Sequence, residues 1–200
     1  MRRRTHLVIA GLMAVMPLAA VSPARAVTLE IDPVHSVAGF KVRHMMISNV
    51  TGEFGKTTGV VNYDPADVGK TTVEATIDAS TITTRVPDRD NHLKSPAFFD
   101  VEKFPTITFK SKKVEKAGDG KLKVTGDLTM KGVTKEVVLD VDGPSAPLTT
   151  PQAVKYGASA TTKINRQDFG VSWNKTLDTG GVAVSDEVTI DIELEMVQKK

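Results

Sequence analysis

The sequence predicts an all-β domain: an antiparallel barrel of about eight strands with one short helix or ordered loop. Three observations lead there. Beyond Val27, residue character alternates with a period of two in segment after segment. Compact turn signals separate the segments and favour antiparallel order. Strands with one dry and one wet face need a closed or sandwiched arrangement. A two-sheet sandwich satisfies the same pattern, and periodicity leaves both open. The chain has no cysteine, so disulfides, thiolate catalysis and thiolate-bound metals are excluded.

Val27 to Ile31 reads as a short first strand, ended by Asp32-Pro33. His35 to Ile47 follows as a long strand. Its even positions, Ser36, Ala38, Phe40, Val42, His44 and Met46, face inward, and Lys41 and Arg43 face out. Gly59 to Tyr63 comes next, then a turn through Asp64-Pro65 and Gly69. Thr71 to Ala79 carries Val73, Ala75 and Ile77 on one face. Charge interrupts the pattern from Arg85 to Asp100, which suits a short helix or ordered loop over a sheet end. Thr106 to Val114 resumes it with Ile107, Phe109 and Ser111. Ala117-Gly118-Asp119-Gly120 is a turn. Lys121 to Met130, with Leu122, Val124, Gly126 and Leu128 alternating, forms a hairpin with Val133 to Val141 about Lys131-Gly132. A Pro-, Ser- and Thr-rich loop spans 142–151, and Val154 to Ile164 is a strand. Asn165 to Val182 has weak periodicity. The last strand places Val188, Ile190, Ile192, Leu194 and Met196 opposite Thr189, Asp191, Glu193 and Glu195.

The first residues read as an export leader. Arg2, Arg3 and Arg4 precede an apolar stretch from Leu7 to Val21, and Ala24-Arg25-Ala26 has the small-x-small pattern of a cleavage site. The stretch, about 15 residues, is short for a membrane span. Cleavage after Ala26 leaves residues 27–200 as one domain. Losing the leader's four arginines takes the formal charge from +2 to −2. Neither the charge nor any long basic run points to nucleic acid.

The motifs, taken in order, resemble the YceI-like family of periplasmic proteins. They are Leu29-Glu30-Ile31-Asp32-Pro33-Val34-His35-Ser36, Phe40-Lys41-Val42-Arg43-His44, Gly52-Glu53-Phe54, Arg89-Asp90-x-His92-Leu93, Phe98-Phe99-Asp100, Phe104-Pro105-x-Ile107-x-Phe109, Gly126-x-Leu128-x-Met130-x-Gly132 and Arg166-x-x-Phe169-Gly170. Each is weak alone; together they cover nearly all of 27–200. Two departures, Leu29 where an aromatic residue is frequent and Arg43 where lysine is common, bear on ligand preference rather than fold. The resemblance implies an extended, lipocalin-like barrel with an apolar channel. It implies a bound isoprenoid lipid or isoprenoid quinone, no catalytic cofactor, a periplasmic location, transient inner-membrane contact and a homodimer as one state.

Against that background, Phe40, Val42, Val73, Ile77, Phe109 and Leu128 are candidate ligand contacts; in a filled barrel they are simply core. His44, if inward, either hydrogen-bonds a headgroup or quinone carbonyl or is a paired core histidine. Arg89 either meets a polar headgroup or fixes its loop through an Arg-Asp pair. Phe98 and Phe99 seal the barrel end or line its mouth. Phe169 packs inward as a further candidate ligand contact, and Trp173 lines the pocket or covers the rim. His35 braces a turn. His35 and His44 fall on opposite faces of an unbroken strand, which disfavours a metal site between them. No serine lies in a Gly-x-Ser-x-Gly setting, so the expectation is a binding protein rather than an enzyme. The alternative is a filled barrel acting as a periplasmic protein-binding module.

Overall fold

The structure, a computed structural model, describes residues 25–178 and 180–199. The predicted leader lies outside them, apart from Arg25 and Ala26, which take no regular structure. The strands are β1 (Val27–Ile31), β2 (Val37–His44), β3 (Ser48–Phe54), β4 (Thr57–Tyr63), β5 (Thr72–Asp78), β6 (Ile82–Thr83), β7 (Thr106–Gly118), β8 (Lys121–Met130), β9 (Val133–Asp142), β10 (Leu148–Thr149), β11 (Val154–Asn165) and β12 (Val184–Gln198). One helix, α1 (Pro87–Lys94), lies between β6 and β7.

These strands make eight staves of one closed barrel. β1 and β2 run in line as a single interrupted stave, and so do β3 with β4 and β5 with β6. The register shows it: Val27 faces Tyr63, and in the same hairpin Ala38 faces Phe54 and His44 faces Ser48. Likewise Asn62 faces Thr72 while Glu53 faces Thr83. The ring continues through β7, β8, β9, β11 and β12. It closes where β12 pairs with β2 and β1. All these pairings are antiparallel and run round the whole ring, with β9 and β11 joined only at residues 140–142 and 159–161, so the barrel prevails over the sandwich.

Most predicted strands coincide with observed ones to within a few residues. β3 is the long exception, because Ser48, Gly52 and Glu53 dilute its alternation, and the two-residue β6 and β10 are further ones, β10 lying inside the expected 142–151 loop. The long second strand ends at His44 rather than Ile47, and Met45, Met46 and Ile47 form the turn into β3. Met45 and Met46 adopt left-handed backbone (φ 51° and 62°) that no sequence periodicity reports.

One end of the barrel, termed upper here, carries this turn, the 84–105 excursion with α1, the Lys131-Gly132 turn and the 166–183 segment. α1 starts at Pro87, has Asp88 and Asp90 in its first turn and His92 and Lys94 in its last, an order that suits the helix dipole. It buries no residue, so its place depends on polar anchors. The main apolar cluster sits towards this end, around Phe54, Ile82, Phe98, Ile107, Met130 and Phe169. Two smaller clusters occupy the lower end, one on Leu29, Ile31, Val61 and Met196, the other on Val114, Leu122 and Val124.

Candidate functional site

The barrel is hollow. A cavity of about 370 Å³ runs through it, lined by side chains from all eight staves. Phe40, Val42, Val73, Ile77, Phe109, Val188 and Ile190 point inward yet remain partly accessible, because nothing fills the bore in front of them. On the first stave the lining extends from Ile31 to His44. At the usual strand rise and barrel tilt that stretch is roughly 30 Å along the axis. The volume lies in the range of small-molecule sites, about 300–1,000 Å³, but is drawn out into a channel.

Exposure shows which end opens. The lower lining residues Ile31, Val61, Thr71, Leu122 and Met196 are all buried. The lining residues classed as exposed are His44, His92 and Trp173, and all three belong to the upper end. There Trp173 packs against His92 (ring centroids 5.2 Å apart) and Phe98 (5.3 Å). Phe98 also meets His92 edge-on at 5.0 Å. Deeper in, Phe54 bridges Phe99 (5.6 Å) and Phe40 (6.0 Å).

Two phenylalanines are kept against the wall by glycines. Gly52 on β3 faces Phe40 on β2, and a Cβ there would stand 2.7 Å from Phe40 Cε1. Gly126 on β8 does the same for Phe109, with 2.8 Å to Cε2. Each ring lies over the hydrogen of a neighbouring glycine, which keeps it out of the channel.

Polar anchors fix the mouth. Asp90 accepts hydrogen bonds from the Thr84 amide (2.7 Å), the Thr84 hydroxyl (2.5 Å) and the Thr83 hydroxyl (3.2 Å). Burial opposes its charge, but these bonds, with Arg89 nearby, outweigh it and lower the carboxyl pKa. Arg89 donates from Nε to the Thr84 hydroxyl (2.7 Å) and from Nη2 to the Thr84 carbonyl (3.1 Å). Arg89 thus fixes its loop through Thr84 while also lining the cavity. Arg166, 4% exposed, donates to the carbonyls of Val171, Trp173, Ser185 and Val184. Burial lowers its pKa, and Asp186 at 3.5 Å offsets this only in part. It ties the Trp173 segment to the start of β12.

Of the twelve predicted contacts, eleven line the cavity: Phe40, Val42, His44, Val73, Ile77, Arg89, Phe98, Phe99, Phe109, Leu128 and Trp173. Phe169 does not. It is 2% exposed within the upper core cluster. The single 3₁₀ turn Arg166–Phe169 leaves strand alternation, so its side chain turns into the packed layer instead of the bore. His44 sits at the mouth rather than in the interior. Sequence reasoning missed Thr57, which is 2% exposed, lines the cavity and has an unpaired hydroxyl. A threonine in a strand carries no signal of that kind.

His35 braces its turn, sharing a 2.8 Å hydrogen bond with Asp32. That bond is the main reason the Asp32 pKa is lowered. Asp32, His35 and Glu195 are the one cluster with metal-ligating groups in reach of each other among the described residues. Lys155 Nζ already stands 2.5 Å from Glu195 Oε1, so the cluster is an ion-pair network across the β1–β2 bend.

The model of the YceI-like domain matches residues 29–196. A UPF0312 protein of Vibrio cholerae is 32% identical over 189 residues, covering 94% of this chain and 96% of its own. Among solved structures, BcnA of Burkholderia cenocepacia superposes with a TM-score of 0.70 at 26% identity, over 82% of this chain and 98% of its own. A polyisoprenoid binding domain from Saccharophagus degradans shares the fold at 15% identity, with a TM-score of 0.62, over 88% and 100%. With a hollow eight-stave barrel opening at one end and a family match across nearly all of it, this chain belongs to the YceI-like family.

Proposed function

We propose that this protein binds and carries a long-chain isoprenoid lipid or isoprenoid quinone in the periplasm. The observation that supports this most is the apolar bore itself, about 370 Å³ and lined by all eight staves. A long, unbranched-to-methyl-branched tail matches its shape, whereas a compact polar metabolite would leave apolar wall uncovered and its own polar groups unpaired. The polyisoprenoid binding domain of Saccharophagus degradans has the same fold, which is consistent with this cargo. The leader-like residues 1–26 support export, and cargo of this kind supports contact with the inner membrane. His44, His92, Arg89 and Trp173 at the mouth meet the headgroup, and the apolar wall takes the tail. The cargo is returned unchanged, so the protein is a carrier and not an enzyme.

Native mass spectrometry on protein purified from a bacterial periplasm without detergent tests the proposal, with the extracted lipids analysed separately. The expected result is a discrete added mass matching an intact isoprenoid. A bare mass that persists after incubation with polyprenols and quinones would overturn it.

A further inference from the structure

The upper rim bears an apolar tip that the bore does not use. In the turn from β2 to β3, Met45 is 40% exposed, Met46 51% and Ile47 79%. The turn is held firmly. The Met45 amide donates to the Ala183 carbonyl (2.8 Å), the Ile47 amide to the His44 carbonyl (3.1 Å), and Arg43 donates twice to the Met46 carbonyl (3.2 and 3.0 Å). Met45 and Met46 are kept in left-handed backbone, where glycine or asparagine is normally found. Met46 lies over Gly181 of the opposite loop, so the tip is continuous with the Trp173 segment. The fold therefore fixes three large apolar side chains in water instead of merely failing to bury them.

The charge of the tip's own hairpin is one-sided. From Lys41 to Thr51 the hairpin contains Lys41 and Arg43 and no carboxylate, although residues 27–200 are net negative. The acids of the adjoining β12 start are engaged elsewhere: Asp186 accepts from Gln167 Nε2 (2.6 Å), and Glu187 pairs with Lys163 (2.8 Å). On the other side, exposed Arg85 and Val86 follow β6, the partner of β3. Trp173, 36% exposed, stands on the same rim. His44 joins tip to bore, since it both begins the turn and lines the mouth. Apolar tip residues, flanking cations and a rim tryptophan are the composition of a surface that seats in the interface of an anionic bilayer.

We infer that the Met45-Met46-Ile47 tip docks the mouth of the barrel on an anionic lipid bilayer, so that a tail passes between bilayer and bore without crossing water. The inference rests on the carrier reading. It is tested with protein in its mature form and flotation against phosphatidylethanolamine vesicles with and without phosphatidylglycerol. The comparison is with M45S/I47S, two residues that neither line the cavity nor pack in the core. The wild type floats with phosphatidylglycerol vesicles, and M45S/I47S binds them roughly tenfold or more weakly. Its rate of taking a fluorescent polyprenol from those vesicles falls in parallel, while its retention of a preloaded polyprenol is unchanged. Failure of the wild type to float, or equal flotation of the variant, overturns docking. So does a concentration-dependent dimer of the wild type that the variant loses, which would assign the tip to a second copy. If instead neither protein retains a preloaded polyprenol, the carrier reading itself fails, and flotation still decides whether the tip binds membranes.

Discussion

Gly52→Ala is the smallest change that should close the channel. Gly52 has ordinary extended backbone, so alanine fits its conformation, and the strain falls on what the new methyl meets. It would stand 2.7 Å from Phe40 Cε1 and 2.8 Å from Thr84 Cγ2. Carbon atoms rest about 3.5 Å apart or more, so the ring must withdraw by about 1 Å. Thr84 is held by Asp90 and Arg89 and does not yield easily. Phe54 blocks the ring on one side, and the open direction is the bore. Overpacking of this kind costs about 1–3 kcal/mol, and displacement of a side-chain end puts it near the lower limit. For a chain of this length that is a Tm lower by roughly 2–4 °C per kcal/mol, read by thermal denaturation. Lipid load, read by native mass spectrometry, should fall by more than stability explains, because the ring enters the path of the tail. Phe40→Leu in the same chain should restore both, with a coupling of about 1 kcal/mol between the two sites. An unchanged Tm and full lipid load in Gly52→Ala, or additive effects in the double variant, would refute the idea that this glycine keeps Phe40 against the wall.

Two further outcomes follow from the polar groups. Thr57→Val replaces an unpaired buried hydroxyl with a methyl of the same shape, so the ligand-free protein should gain about 1 kcal/mol in chemical denaturation; a loss of stability would mean the hydroxyl has a partner. Asp90 has a lowered pKa in the folded protein, so its bonds to Thr84 and Thr83 are complete above the ordinary carboxylate value of 3.8 and are lost as pH falls through the lower folded value. The single tryptophan, Trp173, reports the loosening of the rim: its fluorescence should show a transition below about pH 4. Asp90→Asn should weaken the rim already at neutral pH and remove that acid transition, and an acid transition identical to the wild type would assign it to other carboxylates.

The fold was legible because alternation survives wherever a stave has wide inward side chains. β8 shows four large apolar residues in step about Gly126, β12 shows five from Val188 to Met196, and the alternation marks the strand in both. β3 escaped because its inward Gly52 leaves its space to Phe40 of the neighbouring strand, a division of volume between two staves that one segment cannot show. The lining of the wall was readable for the same reason that the fold was. The mouth was not, because it is assembled from a turn, a helix and an irregular segment whose side chains follow no period. Phe169 illustrates the limit: one 3₁₀ turn between β11 and the loop redirects it from the bore to the core. Arg166 reaches one acid, Asp186 at 3.5 Å, but donates mainly to carbonyls, which no side-chain pattern records.

The length of the bore sets how a tail should distribute between protein and membrane. An extended chain advances about 1.2 Å per bond, by analogy with the 3.3–3.6 Å that three backbone bonds span. A channel of roughly 30 Å then takes about 25 bonds, or about six isoprene units at four main-chain bonds each. Burying one five-carbon unit from water is worth about 4 kcal/mol gross, so six would exceed the ceiling of about 20 kcal/mol on non-covalent affinity unless ordering of the tail cancelled much of it. Water, however, is not the competing state for such a lipid. A bilayer interior is as apolar as the wall of Val42, Val73, Ile77 and Val188, so each unit changes environment with little net gain. Partition of polyprenols between vesicles and protein should therefore vary by less than about threefold per unit up to about six units. Beyond that length it should turn against the protein, as further units emerge at the mouth into water. A partition that rises about tenfold with every added unit would mean that the vesicle state is not the relevant reference. A partition with no break near the length of the bore would mean that the tail does not occupy it.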